Sequence, residues 1–293
     1  MKAQIDSTHT KFAKSAMKAL VIAGASLSLM GCYVDVYGEY EPDRYYPPVH
    51  HSDITDLSTQ LIVDAALLPL ALAAEAPYQV IDPDSYTSPR SIALTRAHVT
   101  ETTYAYLFDN VDCAEGGYTQ VEAEADTTSY SDGFTYVDIQ TAAQAHQCQV
   151  WRDRDMATIN SNLSYDSVGW YDDIDNKLTS LDSEFKGDFN LSWKNKAIRH
   201  QNIKASTVAL NFKDFTIDLS SATRLNDGST SEQSSLVTTR KVHWYLGAKH
   251  PHLGEMKFIQ GLDWVKLTFE ANGVWRQNSQ GYANYWSWSE LGN

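Results

Sequence analysis

Val121-Glu122-Ala123-Glu124-Ala125-Asp126 decides the fold: small apolar and acidic residues alternate without a break. Successive side chains leave a β-strand on opposite sides, so a period of two marks a strand with one face on a core and the other in water. Here three apolar side chains take one face and three carboxylates the other. Like charges set directly opposite one another across a sheet cost energy, so the acidic face must see water or a cation.

Outward from this strand the alternation recurs. Phe134, Tyr136 and Asp138 alternate with Thr135, Val137 and Ile139, and Phe189, Leu191 and Trp193 oppose Asp188, Asn190 and Ser192. Val208, Leu210 and Phe212 share a face. Phe215, Ile217 and Leu219 then resume the pattern one residue out of phase, a slip at Lys213-Asp214 that marks a bulge or a tight bend. Stretches 236–245, 255–259 and 264–270 complete the run. Asn272-Gly273 is the strongest hairpin signal in the chain, and Gly116-Gly117, Asp132-Gly133 and Asp227-Gly228 mark further reversals. About ten short strands joined by hairpin turns predict a mainly-β, antiparallel architecture, either one curved sheet or a sandwich. One helix is predicted, near the N-terminus over about 53–76, capped by Ser52 or Asp53. Ile54, Leu57, Leu61, Ala65 and Leu68 give it an apolar face that packs on the sheet. Pro69 is expected to kink or end it, with Leu70 to Ala76 as a second piece before Pro77.

The first 31 residues read differently. Lys2, Lys11, Lys14 and Lys18 precede an apolar run from Ala19 to Met30. A basic segment followed by about a dozen apolar residues is a secretory signal, too short for the ~20 residues that span a bilayer. Its end, Leu29-Met30-Gly31-Cys32, resembles the lipobox of bacterial lipoprotein precursors. That resemblance implies that the Cys32 thiol receives a diacylglycerol, that the peptide is cut before it, and that the new amine is acylated. Tyr33 rather than an aspartate follows, which in that family implies the outer membrane of a Gram-negative cell. Residues 32–51, rich in tyrosine, acid and proline, then form an extended tether that holds a single domain, 52–293, off the bilayer. From Tyr104 onward the chain also resembles uncharacterised proteobacterial lipoproteins built from aromatic-Asp turns and strand pairs, a likeness that carries no activity with it.

The balance of 37 acidic against 23 basic residues gives a net charge of −14, and loss of the signal removes four lysines for one aspartate. Such a surface repels nucleic acid and anionic headgroups, so the membrane is reached through the lipid and not through a basic patch. With Cys32 lipidated, Cys113 and Cys148 are an even pair in an oxidising compartment, which suggests a disulfide.

Chemistry is harder to find. The chain has no Gly-x-Ser-x-Gly elbow, His-Glu-x-x-His, P-loop or dinucleotide fingerprint, so it reads as non-catalytic, although a scattered triad escapes such a search. His243, His250 and His252, with Glu255, are the best metal candidate, since imidazoles suit zinc or copper. Pro251, flanked by Gly247 and Gly254, argues instead for surface histidines in a loop. Phe108-Asp109-Asn110-Val111-Asp112 echoes Tyr171-Asp172-Asp173-Ile174-Asp175; the pair reads as two copies of one meander, as calcium-binding turns or as solvated turns. Trp286 and Trp288 share a strand face and can stack on a sugar or an apolar ligand, or seal the last strand onto the core.

These readings converge on a lipid-anchored envelope lipoprotein without catalysis, acting as a ligand carrier or scaffold. The alternative is a carbohydrate-binding or carbohydrate-active module using the C-terminal tryptophans. A carrier calls for an apolar pocket beneath the helix, a sugar module for exposed tryptophans, and a metalloenzyme for converging histidines. The anchor is tested first: Cys32→Ser should abolish metabolic labelling by radioactive palmitate, and undiminished labelling would refute the lipobox.

Overall fold

The computed structural model describes residues 54–78, 99–152, 155–172, 177–211, 214–245 and 248–291; the signal segment, Cys32 and the tether lie outside them. Among the described residues, each strand pairs with its neighbours in sequence. β1 (Val99–Asp112), β2 (Tyr118–Tyr130), β3 (Phe134–Arg152), β4 (Asp155–Asp172), β5 (Lys177–Trp193) and β6 (Lys196–Asn211) are followed by β7 (Asp214–Asn226), β8 (Ser231–Tyr245), β9 (Leu253–Gln260), β10 (Asp263–Glu270), β11 (Gly273–Asn278) and β12 (Ala283–Ser287). All twelve form one sheet in the order β1 to β12. The architecture is therefore a single antiparallel meander and not a sandwich. The expected ten or so short strands are twelve, and β1 to β8 run 13 to 19 residues each, longer than the usual 3–10. The slip at Lys213-Asp214 falls at the junction of β6 and β7, where Asn211 pairs with Asp214; Lys213 lies outside the described residues.

Strands this long cannot stay straight and enclose a core. Register shifts fall at Ala145/Cys148, Gly187/Phe189, Gln201/Lys204, Ile217/Ser220 and Thr238/Arg240, crossing the sheet from β3 to β8. Each bulge bends its strand, and bulges on successive strands crease the sheet into a trough. Gly187 shows why the crease needs particular residues: at φ 143° its added Cβ would lie 2.0 Å from the Asn162 carbonyl oxygen.

The trough holds α1 (Thr59–Tyr78), packed against β4 to β7. A 3-10 turn, Ile54–Asp56, precedes it, and Ser58, not Ser52 or Asp53, is the cap: its Oγ accepts from the Leu61 N–H at 3.3 Å. Arg276 of β11 grips this end, donating to the Thr55 carbonyl at 2.7 Å and to Thr59 Oγ1 at 2.8 Å. The helix is buried all round and not on one stripe. Leu61, Ile62, Val63, Ala65 and Ala66 are each at most 2% exposed, as befits a helix apolar on every side. The charge in this run is matched: Asp64 pairs with buried Arg152 of β3, whose guanidinium also lies 4.4 Å over the Trp193 ring. Removing either partner of such a pair costs about 3–5 kcal/mol, because the other charge stays buried alone.

Pro69 does not end the helix, one of the two outcomes expected from sequence: α1 runs unbroken from Thr59 to Tyr78, one residue past Pro77, near where its second piece was expected to stop. A proline inside a helix lacks the N–H that would bond the carbonyl four residues earlier. The carbonyls left over are those of Ala65 and Ala73, and β6 sets a polar side chain against each. Thr207 Oγ1 donates to the Ala73 carbonyl at 3.0 Å. The fully buried His200 ring lies against the Ala65 carbonyl, while its Nδ1 is 3.0 Å from Ser221 Oγ and 3.1 Å from Thr223 Oγ1. This accounts for a polar residue, Thr207, facing inward at 1% exposure while Val208 beside it is half-buried.

Burial pushes His200 down to about 4, the Ala65 carbonyl offsetting part of that shift. The unfolded chain takes up a proton near pH 6.5 that the folded chain refuses until about pH 4, so this residue's contribution to stability is complete above 6.5 and is lost as pH falls through that window. At 1.36 kcal/mol per unit, the loss between pH 7 and pH 5 is about 2 kcal/mol. Urea unfolding of the wild type and His200→Gln at both pH values should show that much less pH dependence in the variant; parallel curves would contradict it.

Candidate functional site

Three regions carry candidate chemistry, and the trough is not one of them, because α1 fills it. The first is a groove of about 540 Å3 on the solvent face of β3 to β6. Its side chains come in two cross-strand rows set by register. Gln144, Asn162 and Asp188 face one another on β3, β4 and β5, and Asn160, Asn190 and Arg199 do so on β4, β5 and β6. The crease shapes the floor. Gln147, at φ 49°, turns its N–H to Asn160 Oδ1 at 2.9 Å, and Asn202, at φ 52°, gives its N–H to Asp188 Oδ1 at 2.8 Å. At one end His146 lies beside exposed Tyr118, ring centroids 4.9 Å apart. Four amides, one carboxylate and one guanidinium make a rim of mixed donors and acceptors with offsetting charge.

A disulfide joins Cys113 to Cys148, the two cysteines left once Cys32 is set aside, Cα atoms 5.4 Å apart. It ties the β1–β2 turn to the β3 bulge that borders the groove. The Gln149 N–H donates to the Gly116 carbonyl at 2.7 Å across the same junction.

The second region lies on the same solvent face, where β7, β8 and the β8–β9 loop meet. His243 and His252 come together, but the third member is Asp214 and not His250. Ligand-capable atoms of Asp214, His243 and His252 all lie within 4.8 Å of one another. His243 Nδ1 is 3.4 Å from Asp214 Oδ1. The His252 N–H donates to the His243 carbonyl at 3.1 Å, and its ring stacks on Tyr245 at 3.7 Å and 2°. Burial lowers His252, the neighbouring His243 adding to this and Asp214 opposing it. His250 turns away to stack on Trp288 at 4.4 Å and 9°, where burial, then Lys249, lowers it to about 4. Glu255 lies elsewhere, opposite Arg240 and within 3.5 Å of Thr239 Oγ1.

The third region is the C-terminal hairpin. Trp288 is 7% exposed, follows β12 and donates its indole N–H to the Ala271 carbonyl at 3.2 Å; half-buried Trp286 packs on the same core. Both turn inward onto the core, and Trp288 lies past the end of β12, so the two do not share a strand face as read. The outward side carries Trp275 and Tyr285, paired across β11 and β12, 42% and 38% exposed.

The aromatic-Asp segments do not pool ligands. Asp109 and Asp112 end β1, whereas Tyr171 and Asp172 end β4, which runs the opposite way, so the two segments sit at opposite ends of the sheet; Asp173 to Asp175 lie outside the described residues. Asp214 escaped the sequence reading because it is 29 positions from His243 and only the β7–β8 pairing brings them together. The groove residues were visible as polar strand positions, but nothing in their spacing showed that three strands would align them. Among the described residues no helix is long and apolar enough to cross a membrane. No protein-family model, curated protein or solved structure matches the chain.

The disulfide closes a 35-residue separation, worth about 3–4 kcal/mol by loop entropy. Reduction should lower the unfolding free energy by that amount. Alkylation of the unreduced, denatured protein should leave Cys113 and Cys148 unmodified; quantitative labelling of both would exclude the bond.

Proposed function

We propose that the protein is a lipid-anchored lipoprotein of the bacterial outer membrane whose β domain is a non-catalytic binding module, and that the groove on β3 to β6 takes a neutral, polyhydroxylated ligand of the saccharide class. The groove carries this reading. Amides donate and accept at adjacent atoms, as vicinal hydroxyls do, so rows of Asn and Gln pair with a sugar edge without leaving a polar group unsatisfied. Asp188 and Arg199 offset each other, which removes any strong preference for a charged ligand. The Tyr118–His146 pair offers an aromatic surface at the groove's end.

A lipid carrier is the less favoured reading, because the space it needs in the trough is occupied by α1 with Leu61 to Ala66 almost wholly buried. The tryptophan-based sugar site is also less favoured, since Trp288 is sealed against Ala271 and His250. Anchoring rests on the lipobox resemblance and suits a domain whose acidic surface would not hold a membrane by itself.

The detergent-solubilised full-length protein, applied to an array of neutral and acidic oligosaccharides and separately titrated with a fluorescent fatty acid, tests the choice. Saturable binding to neutral glycans, weakened about tenfold by Asn162→Ala or Arg199→Ala, is expected, the loss of one hydrogen bond to a polar ligand being worth about 1–1.5 kcal/mol. Saturable fatty-acid binding with no glycan signal would replace this reading with the carrier.

A further inference from the structure

We propose that Asp214, His243 and His252 form a binding site for one divalent transition-metal ion of the zinc type, separate from the groove and independent of what the groove binds. The three ligand-capable atoms lie within 4.8 Å of one another on three segments: the first residue of β7, the outward face of β8 near its C-terminal end, and the loop before β9. Ligands on one tetrahedral zinc at about 2.0–2.2 Å stand a little over 3 Å apart, and His243 Nδ1 and Asp214 Oδ1 are already 3.4 Å apart. Two imidazoles and a carboxylate are a donor set zinc accepts, with a fourth position left to water.

The atoms that should bind metal are short of other partners. Asp214 Oδ1 and His252 Nδ1 are both buried from solvent and form no hydrogen bond. Buried polar atoms are nearly always bonded, so two orphans on members of one three-residue cluster call for a missing group. The Asp214 and His243 side chains are 17% and 25% exposed, leaving a path from water.

The scaffold holds the geometry. His252 is fixed by its N–H to the His243 carbonyl and by the parallel stack on Tyr245. Gly254 lets the loop approach: at φ 127° its added Cβ would sit 2.6 Å from Val242 Cα, so no side chain fits between β9 and β8 there. A salt link between protonated His243 and Asp214 is the competing account. It explains their 3.4 Å contact but leaves His252 Nδ1 with nothing to do.

The test is calorimetric titration of the metal-stripped, detergent-solubilised full-length protein with zinc chloride at neutral pH. One site is expected that Asp214→Asn, His243→Gln and His252→Gln each weaken at least about a hundredfold, more than the roughly 10–100-fold that outer-shell partners cost, and that His250→Gln leaves intact. His50-His51 are a second possible source of zinc binding, and the variants separate the two. Should a variant unfold, cobalt(II) in the wild type reads the site directly, as a visible band of nitrogen–oxygen coordination displaced by zinc. Absence of zinc binding and of the cobalt band, a site untouched by the Asp214 and His252 changes, or equal loss in His250→Gln would each overturn the proposal.

Discussion

The structure depends on how β6 meets the two carbonyls that prolines leave open on the central helix. A helix buried on every side has no water with which to satisfy a lone carbonyl, and an unpaired buried polar group costs about 1–3 kcal/mol. Pro69 and Pro77 create two such groups, at Ala65 and Ala73, on a segment with no exposed face in its first two turns. Thr207 bonds one, and His200, held by Ser221 and Thr223 of β7, lies against the other. These contacts fix the helix's rotation and its height along the trough together, which apolar packing of Leu and Ala alone does loosely. The Asp64–Arg152 pair locks the same helix to β3. Polar specificity inside an apolar core thus sets the register between helix and sheet.

That coupling also marks the limit of what the sequence discloses. Alternation found the strands, because burial on one face is a local property of each segment: Val121, Ala123 and Ala125 are at most 4% exposed while their acidic neighbours face water. It could not say that all twelve share one sheet, since pairing is non-local. The helix was legible as apolar and as stopping near Pro77, but its passage through Pro69 was not, because that depends on side chains more than 120 residues downstream. The tryptophans show the same limit in another form. Trp286 lies opposite buried Val274 of β11, which sets its side of the hairpin inward, while Trp288 falls past the strand's end and is buried in the turn that follows. His250 and His252, two residues apart, separate because only His252 is tied back to β8 by its backbone.

The solvent face has its own constraint. Asp126 and Asp138 lie directly opposite on β2 and β3 with Asp166 nearby, and burial, then these two neighbours, raise Asp138 above the usual carboxylate range. Farther along, Tyr106 of β1 donates its hydroxyl to Glu122 of β2 at 3.0 Å. Repulsion of this kind works against stability, yet it keeps a broad sheet face wet and discourages a second apolar surface from docking on it.

One physical device, the crease, serves both faces. Bulges are needed so that long strands can curve around α1, and every bulge turns backbone groups and neighbouring side chains out of the regular ladder. On the inner side the result is a trough that fits a helix. On the outer side, the extra residues at Gln147 and Asn202 draw Asn160 and Asp188 into holding backbone N–H groups, which orders a row of polar side chains that a flat strand would leave splayed in water. Farther along, the shift between Arg240 and His243 opposite Gly254 lets the β8–β9 loop fold back and set His252 beside His243 and Asp214. The groove and the histidine cluster therefore share a cause with the curvature of the core. Straightening any one bulge would loosen the helix and disperse a site together, which is why surface chemistry and packing in this protein cannot be varied independently.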